Sequence, residues 1–106
     1  MGRFELNSDS EKQHEVLTER AIEEPPRYRV LLHNDDYTTM DFVVHILETV
    51  FHKSPSEAIS IMLNVHQTGV GVCGSYPPEI AETKIEITHN MAREAGFPLK
   101  ASMERE

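Results

Sequence analysis

The densest group of polar side chains lies in one short stretch, residues 33–39, which read HNDDYTT. Asn34 and Asp35 offer side-chain oxygens that accept hydrogen bonds, and Asp36 adds a second negative charge. A turn followed by a helix cap would explain these residues without any function. The functional interpretation is a set of hydrogen-bond acceptors at the edge of an apolar surface, because Met40 follows in the first turn of the next predicted helix.

His66 is a second candidate, at the end of an apolar segment that contains Met62 and Val65. A histidine in such a place more often bonds a backbone carbonyl than a ligand. If the fold brings His66 near Asn34 and Asp35, its neutral imidazole adds one more acceptor. The three side chains would then form a polar ring over an apolar hollow, which suits a ligand with a cation at one end and a hydrophobic group at the other.

A small acid-base or metal-dependent hydrolase is an alternative function. Its acid-base groups would be His33, Asp35, Asp36 and His66. The sequence contains no serine nucleophile elbow, no phosphate-binding loop and no HExxH zinc motif, so this alternative is less favoured. A third possibility is a plain interaction domain that docks a protein through its third predicted helix.

Two further groups favour structure over chemistry. Asp41, His45, Glu48 and His52 recur at helical spacing, but a solvated polar face explains them, and side chains spread along three turns cannot converge on one metal ion. Cys73 lies among small residues of a predicted strand with no histidine beside it, so a catalytic thiol is not expected. The sequence therefore predicts neither a metal nor a cofactor.

Three predicted strands would position these residues. Residues 27–33 are rich in strand formers, residues 70–76 alternate apolar and small side chains, and residues 97–103 alternate strictly, with Pro98 favouring an edge position. With the helices between them, the order is β-α-α-β-α-β. It predicts an α+β fold in which a three-stranded antiparallel sheet is covered on one face by three helices.

Three predicted helices connect the strands. The first carries an apolar stripe over residues 40–51, and the capping-box pattern of residues 54–57 starts the second, which Gly69 ends. The second helix is apolar around most of its circumference, so we expect it to be buried on more than one side. The third runs from about residue 78 to residue 95, and Gly96 closes it.

Composition divides the chain into two parts and excludes several partners. Residues 1–26 hold seven acidic and three basic residues, which predicts a mobile arm before a core domain of residues 27–106. Lys and Arg total 10 against 18 Asp and Glu, a net charge of -8, so neither nucleic acids nor anionic membranes are expected partners. A single cysteine and a polar N-terminus favour a cytosolic protein, and the acidic surface favours a monomer.

These motifs together resemble the ClpS family of bacterial adaptor proteins. The resemblance covers essentially all of residues 27–106 and departs from close relatives at Thr39, where proline is common. The matching residues are 34–38 (NDDYT), 40, 42–43, 62–66 (MLNVH), 69, 73–74 and 81–84 (AETK).

The resemblance implies a non-enzymatic adaptor whose fold is akin to the C-terminal domain of the ribosomal stalk protein. It would bind proteins whose first residue is Leu, Phe, Tyr or Trp and deliver them to the ClpA unfoldase of the ClpAP protease. The N-terminal arm would engage the unfoldase during this delivery. The residues implied to hold the substrate α-amino group are Asn34, Asp35 and His66. Those implied to shape the side-chain pocket are Asp36, Thr38, Met40, Val43, Met62, Val65 and Leu99, with Met40 screening against β-branched first residues. Those implied to dock the N-terminal domain of ClpA are Glu79, Glu82 and Lys84.

Overall fold

The computed structural model describes residues 25–106. Its elements in chain order are β1 (Tyr28–His33), α1 (Met40–Thr49), α2 (Pro55–Thr68), β2 (Val70–Tyr76), α3 (Pro78–Ala95) and β3 (Lys100–Arg105). This order confirms the predicted α+β arrangement. The arm predicted for residues 1–26 lies outside the described residues except for its last two prolines. Within the described part, no helix combines the length and the apolar character needed to cross a membrane.

The sheet places β1 in its centre, with β2 and β3 antiparallel on either side. Val30 and Leu32 of β1 are fully buried, as is Cys73 of β2, and Ala101 of β3 is 3% exposed. These side chains alternate along their strands and share one face of the sheet, where they join the helices in a single core. The helices therefore cover one face, as the pattern predicts.

The predicted helix boundaries rest on capping residues. The side chain of Thr39 caps α1, and Ser54 and Glu57 form the reciprocal capping box at the start of α2. Gly69 and Gly96 end α2 and α3 with φ angles of 95° and 83°, a left-handed conformation in which a side chain would be strained. These local signals identify the ends of the helices without reference to the rest of the fold.

The end of α1 differs from the prediction, because the helix stops before His52 and the polar stripe expected to include that residue is broken. His52 has a φ of 56°, and the Lys53 N–H donates to the Leu47 carbonyl across 3.0 Å. The Lys84 ammonium of α3 donates to the Val50 carbonyl across 2.7 Å. A cation from another helix thus satisfies a carbonyl at the negative end of the α1 dipole.

The prediction that α2 is buried on more than one side is wrong. Only Ala58 and Val65 of this helix are buried, while Ile59 is 47% and Leu63 41% exposed. The helix packs against α1 and β2. No other helix or strand of residues 25–106 packs against α2 as extensively as these two, so apolar residues on its outer side remain in contact with water.

The third strand begins at Lys100 rather than at Phe97. After Gly96 the Phe97 N–H donates to the Ala92 carbonyl across 2.8 Å, so this residue belongs to the end of α3. The Phe97 ring packs on Phe42 with the two ring centres 4.9 Å apart. A hydrophobic residue just after a helix-ending glycine commonly makes such a contact. Here this contact determines the position of Phe97, although the alternating pattern predicts that it belongs to the strand.

We expect the substitution Gly71→Ala to lower the free energy of unfolding by about 1–3 kcal/mol, because α2 lies too close to β2 to admit a methyl group. A Cβ at Gly71 would lie 2.6 Å from Cγ2 of Val65 and 3.3 Å from the Ile61 carbonyl oxygen. Urea denaturation measures the change. The matched control is Val72→Ala at the next, exposed position, for which less than about 1 kcal/mol is expected. Equal losses in the two variants would contradict this account.

Candidate functional site

A cavity of about 240 Å³ lies where the loop after β1 and the first turns of α1 meet α2. It is smaller than the roughly 300–1,000 Å³ of typical sites for drug-sized ligands, so it matches a single side chain better than a large cofactor. The residues that line it are Asn34, Asp35, Asp36, Thr38, Met40, Val43, Met62, Val65 and His66. The acceptors predicted from two distant stretches of sequence therefore border one hollow.

A backbone hydrogen bond explains why these two stretches meet. The N–H of Asn34 donates to the carbonyl of Gly69 across 2.9 Å. Gly69 ends α2, and His66 lies in the last turn of that helix. The loop after β1 is thereby tied to the end of α2, which brings Asn34 and His66 to the same rim.

Asp35 organises the loop with its own carboxylate. Oδ1 accepts hydrogen bonds from the backbone N–H groups of Tyr37 and Thr38 at 2.8 and 2.7 Å, and Oδ2 accepts from the Thr38 hydroxyl at 2.7 Å. Partial burial raises the pKa of Asp35, but the hydrogen bonds from Thr38 and Tyr37 outweigh it and hold the pKa below the ordinary value of 3.8. The carboxylate is therefore ionised at neutral pH.

The apolar wall is firm at its base and adjustable at its mouth. Val43 and Val65 are 6% and 2% exposed and belong to the core. Met40 is 45% exposed and Met62 is half-buried. Branched valines have few rotamers, whereas methionine adapts to the shape of what it contacts. The cavity can thus accept apolar groups of somewhat different shape.

The charge of the cavity has one sign. Among the described residues that line it, Asp35 and Asp36 are acidic and none is Lys or Arg. Together with the side-chain oxygen of Asn34 and a ring nitrogen of His66, these groups favour a ligand that is positively charged and donates hydrogen bonds. The arrangement can bind a cation attached to a hydrophobic group.

Comparisons with known proteins identify the family. The family model described as "ATP-dependent Clp protease adaptor protein ClpS" matches residues 23–102. This chain belongs to the ClpS family. The ClpS adapter protein of Desulforapulum autotrophicum is 58% identical over 102 residues, which cover 95% of this chain and 98% of that protein. That of Desulfatibacillum aliphaticivorans is 62% identical over 94 residues, which cover 87% and 90%.

A solved structure is also similar to this ClpS chain. It is that of Agrobacterium tumefaciens ClpS2 bound to L-phenylalaninamide, with a TM-score of 0.76 and 38% sequence identity. The match covers 78% of this chain and all of the other. Sequence and fold therefore agree on the family.

ClpS proteins are protease adaptors, so this chain is an adaptor and not an enzyme. The hydrolase alternative has no support. His33, one of its four acid-base groups, is not among the residues that line the cavity, and its Nε2 lies 2.6 Å from the Ser102 hydroxyl on β3. Residues 25–106 contain no cluster of three or more side chains arranged to hold a metal ion. Burial raises the pKa of the Cys73 thiol to about 12, which keeps it protonated at neutral pH.

The residues implied to dock ClpA differ in their surroundings. Glu79 and Glu82 are exposed on α3. Lys84 is half-buried, bonds a carbonyl at the end of α1, and lies 5.8 and 5.3 Å from the ring centres of Phe51 and Tyr76. Replacing Lys84 would thus disturb the core as well as any partner contact.

Leu99 and Thr38 show where sequence reasoning was incomplete. Leu99 is 4% exposed in the core and is not among the residues that line the cavity, so its share in the pocket stays a prediction. Thr38 lines the cavity, and it also donates two hydrogen bonds to Asp35 that the sequence analysis does not predict. An aspartate three residues before a threonine is a spacing typical of side-chain-stabilised turns, and this signal could have revealed the contact.

We expect Thr38→Val to raise the pKa of Asp35 toward 3.8, because the variant removes the hydroxyl donor that favours the ionised form. An NMR titration of the Asp35 carboxyl carbon measures the shift. The lowered pKa stabilises the fold above about pH 4, and this contribution is lost as the pH falls through the folded-state pKa. Thr38→Ser keeps a hydroxyl and serves as the control. An unchanged Asp35 titration in the valine variant would show that the hydroxyl contributes little.

Proposed function

We propose that this chain captures proteins through a free N-terminal amino group followed by a large hydrophobic first side chain, namely Leu, Phe, Tyr or Trp, and delivers them to the ClpA unfoldase of the ClpAP protease. The observation that carries the proposal is the cavity itself, with acceptors at its rim and valines at its base. The ligand named for the A. tumefaciens relative, L-phenylalaninamide, has the same two features, a free amine and a hydrophobic side chain.

The rim suits an ammonium group. An N-terminal ammonium has three N–H donors and needs about three acceptors. Asn34 and a neutral His66 each supply one. Asp35 already accepts three hydrogen bonds from its own loop, and since an ionised carboxylate has about four acceptor sites, about one remains for the substrate.

The expected affinity is modest. Each charge-assisted hydrogen bond contributes about 1.5–3 kcal/mol, and burial of a Leu or Phe side chain contributes about the same. Association and ordering cost about 4 kcal/mol or more. At the upper end of these ranges the balance is about 8 kcal/mol, which corresponds to a Kd on the order of micromolar. Such binding is reversible, as delivery to another machine requires.

Delivery needs a second surface. We assign it to the exposed carboxylates Glu79 and Glu82 near the start of α3, with Lys84 at its edge. This surface lies on a different helix from every residue that lines the cavity, so docking need not compete with the substrate. The place of action that we propose is the cytoplasm, and the free buried thiol of Cys73 is in keeping with a reducing compartment.

N-acetylation should weaken binding of phenylalaninamide at least about tenfold, because it removes the charge and most of the donors. Calorimetric titration of the free and acetylated amides measures the difference. Asn34→Ala should weaken the free amide, whereas Asn64→Ala, which changes an exposed asparagine of α2 that does not line the cavity, should not. If the acetylated compound binds as well as the free amine, the proposed function is wrong.

Reversing the charges of the docking surface should impair delivery but not capture. The double variant Glu79→Lys, Glu82→Lys should bind the isolated N-terminal domain of ClpA about tenfold or more weakly, because like or unpaired charges replace complementary ones. Its affinity for phenylalaninamide should not change. Glu94→Lys alters an exposed glutamate in the last turn of the same helix and is the control. Equal weakening of ClpA binding by the control would move the docking surface elsewhere.

A further inference from the structure

The outer side of α2 differs in its charge from the surface of α3. Residues 58–68 contain no Asp, Glu, Lys or Arg. The 18 residues of α3, by contrast, include six of these: Glu79, Glu82, Lys84, Glu86, Arg93 and Glu94. Within this uncharged stretch the large side chains of Ile59 and Leu63 are 47% and 41% exposed. Exposed aliphatic groups on a surface depleted of charge are typical of a binding surface.

These two side chains continue the rim of the cavity. Ile59, Leu63 and His66 are spaced by four and three residues, so they lie along one side of the helix. His66 itself lines the cavity. With a rise of about 1.5 Å per residue, Leu63 lies about 4.5 Å and Ile59 about 10.5 Å from His66 along the helix axis. We call Ile59 and Leu63 the α2 stripe.

The other borders of the cavity are less suited to an apolar chain. The loop after β1 carries the carboxylates of Asp35 and Asp36, and exposed Asp41 follows Met40 in the first turn of α1. A hydrophobic segment that leaves the cavity across either border would bring apolar groups against hydrated carboxylates. The exposed large hydrophobic groups there are Tyr37 on the loop, 75% exposed, and Met40, 45% exposed, which lies beside Asp41.

We propose that the second to fourth residues of a bound substrate lie along the α2 stripe, so that the site favours hydrophobic side chains behind the first residue. The inference rests on the proposed capture of N-termini and extends it to the segment that follows. Three residues of extended chain span about 10 Å, which is the distance from His66 to Ile59 along α2. The occupant is thus the substrate's own chain, continuous with the first residue in the cavity.

The experiment compares three ligands: L-phenylalaninamide, the tetrapeptide amide Phe-Val-Val-Ser and the tetrapeptide amide Phe-Ser-Ser-Ser. The unaltered protein should bind the valine peptide about fivefold more tightly than the serine peptide, because the valine side chains bury part of the α2 stripe. Leu63→Ser should abolish this preference and leave the affinity for phenylalaninamide unchanged. Ile87→Ser replaces an isoleucine of α3 that is 42% exposed, and it should retain the preference.

The ligands separate failure of this inference from failure of the proposed function. If the unaltered chain does not bind phenylalaninamide, the proposed function itself is wrong. If phenylalaninamide binds but the two peptides bind equally, or Leu63→Ser keeps the preference, the α2 stripe is not the path of the substrate. If Tyr37→Ser loses the preference for the valine peptide and Leu63→Ser keeps it, the substrate crosses the loop instead. That result would also overturn the inference.

Discussion

The backbone hydrogen bond from Asn34 to Gly69 is the contact on which the site depends. It joins the first residue after the central strand to the left-handed glycine that ends α2, across 2.9 Å. It extends the β1–β2 pairing, in which His33 lies opposite Val70, by one residue, and so holds the loop carboxylates and the imidazole of His66 at one surface. A main-chain bond does not depend on the side chain of Asn34, so that side chain stays exposed at the rim of the cavity.

Asp35 shows how one carboxylate can have both a structural and a binding role. Its three internal hydrogen bonds fix the loop and lower its pKa, which keeps the negative charge in place at neutral pH. The same charge faces a cavity whose other polar groups are acceptors as well. The loop is therefore already arranged before a ligand arrives, and little ordering entropy is lost on binding.

The chain separates its surfaces by chemistry. The candidate site combines acceptors with apolar walls, the start of α3 is acidic, and the outer side of α2 is uncharged. Lys84 is a cation on α3 that is directed into the fold, where it caps the end of α1 above two aromatic rings. An adaptor needs to engage its cargo and its destination at once, and surfaces of different character limit competition between them.

Local signals in the sequence determined the starts of α1 and α2, the ends of α2 and α3, the order of the elements and the composition of the polar cluster, because capping residues, glycines and hydrophobic spacing act over a few residues. The family was recognisable from the motifs at residues 34–38 and 62–66, because each motif is a short continuous stretch of the sequence. Sequence reasoning failed where the surroundings of a residue depend on elements that are distant in the chain. Phe97 joins the end of α3 instead of strand β3, and α2 leaves Ile59 and Leu63 in water although they are apolar. The meeting of Asn34 with Gly69 and the inward direction of Lys84 were decided by tertiary structure alone, since each depends on contacts between residues far apart in the chain, which periodicity does not encode.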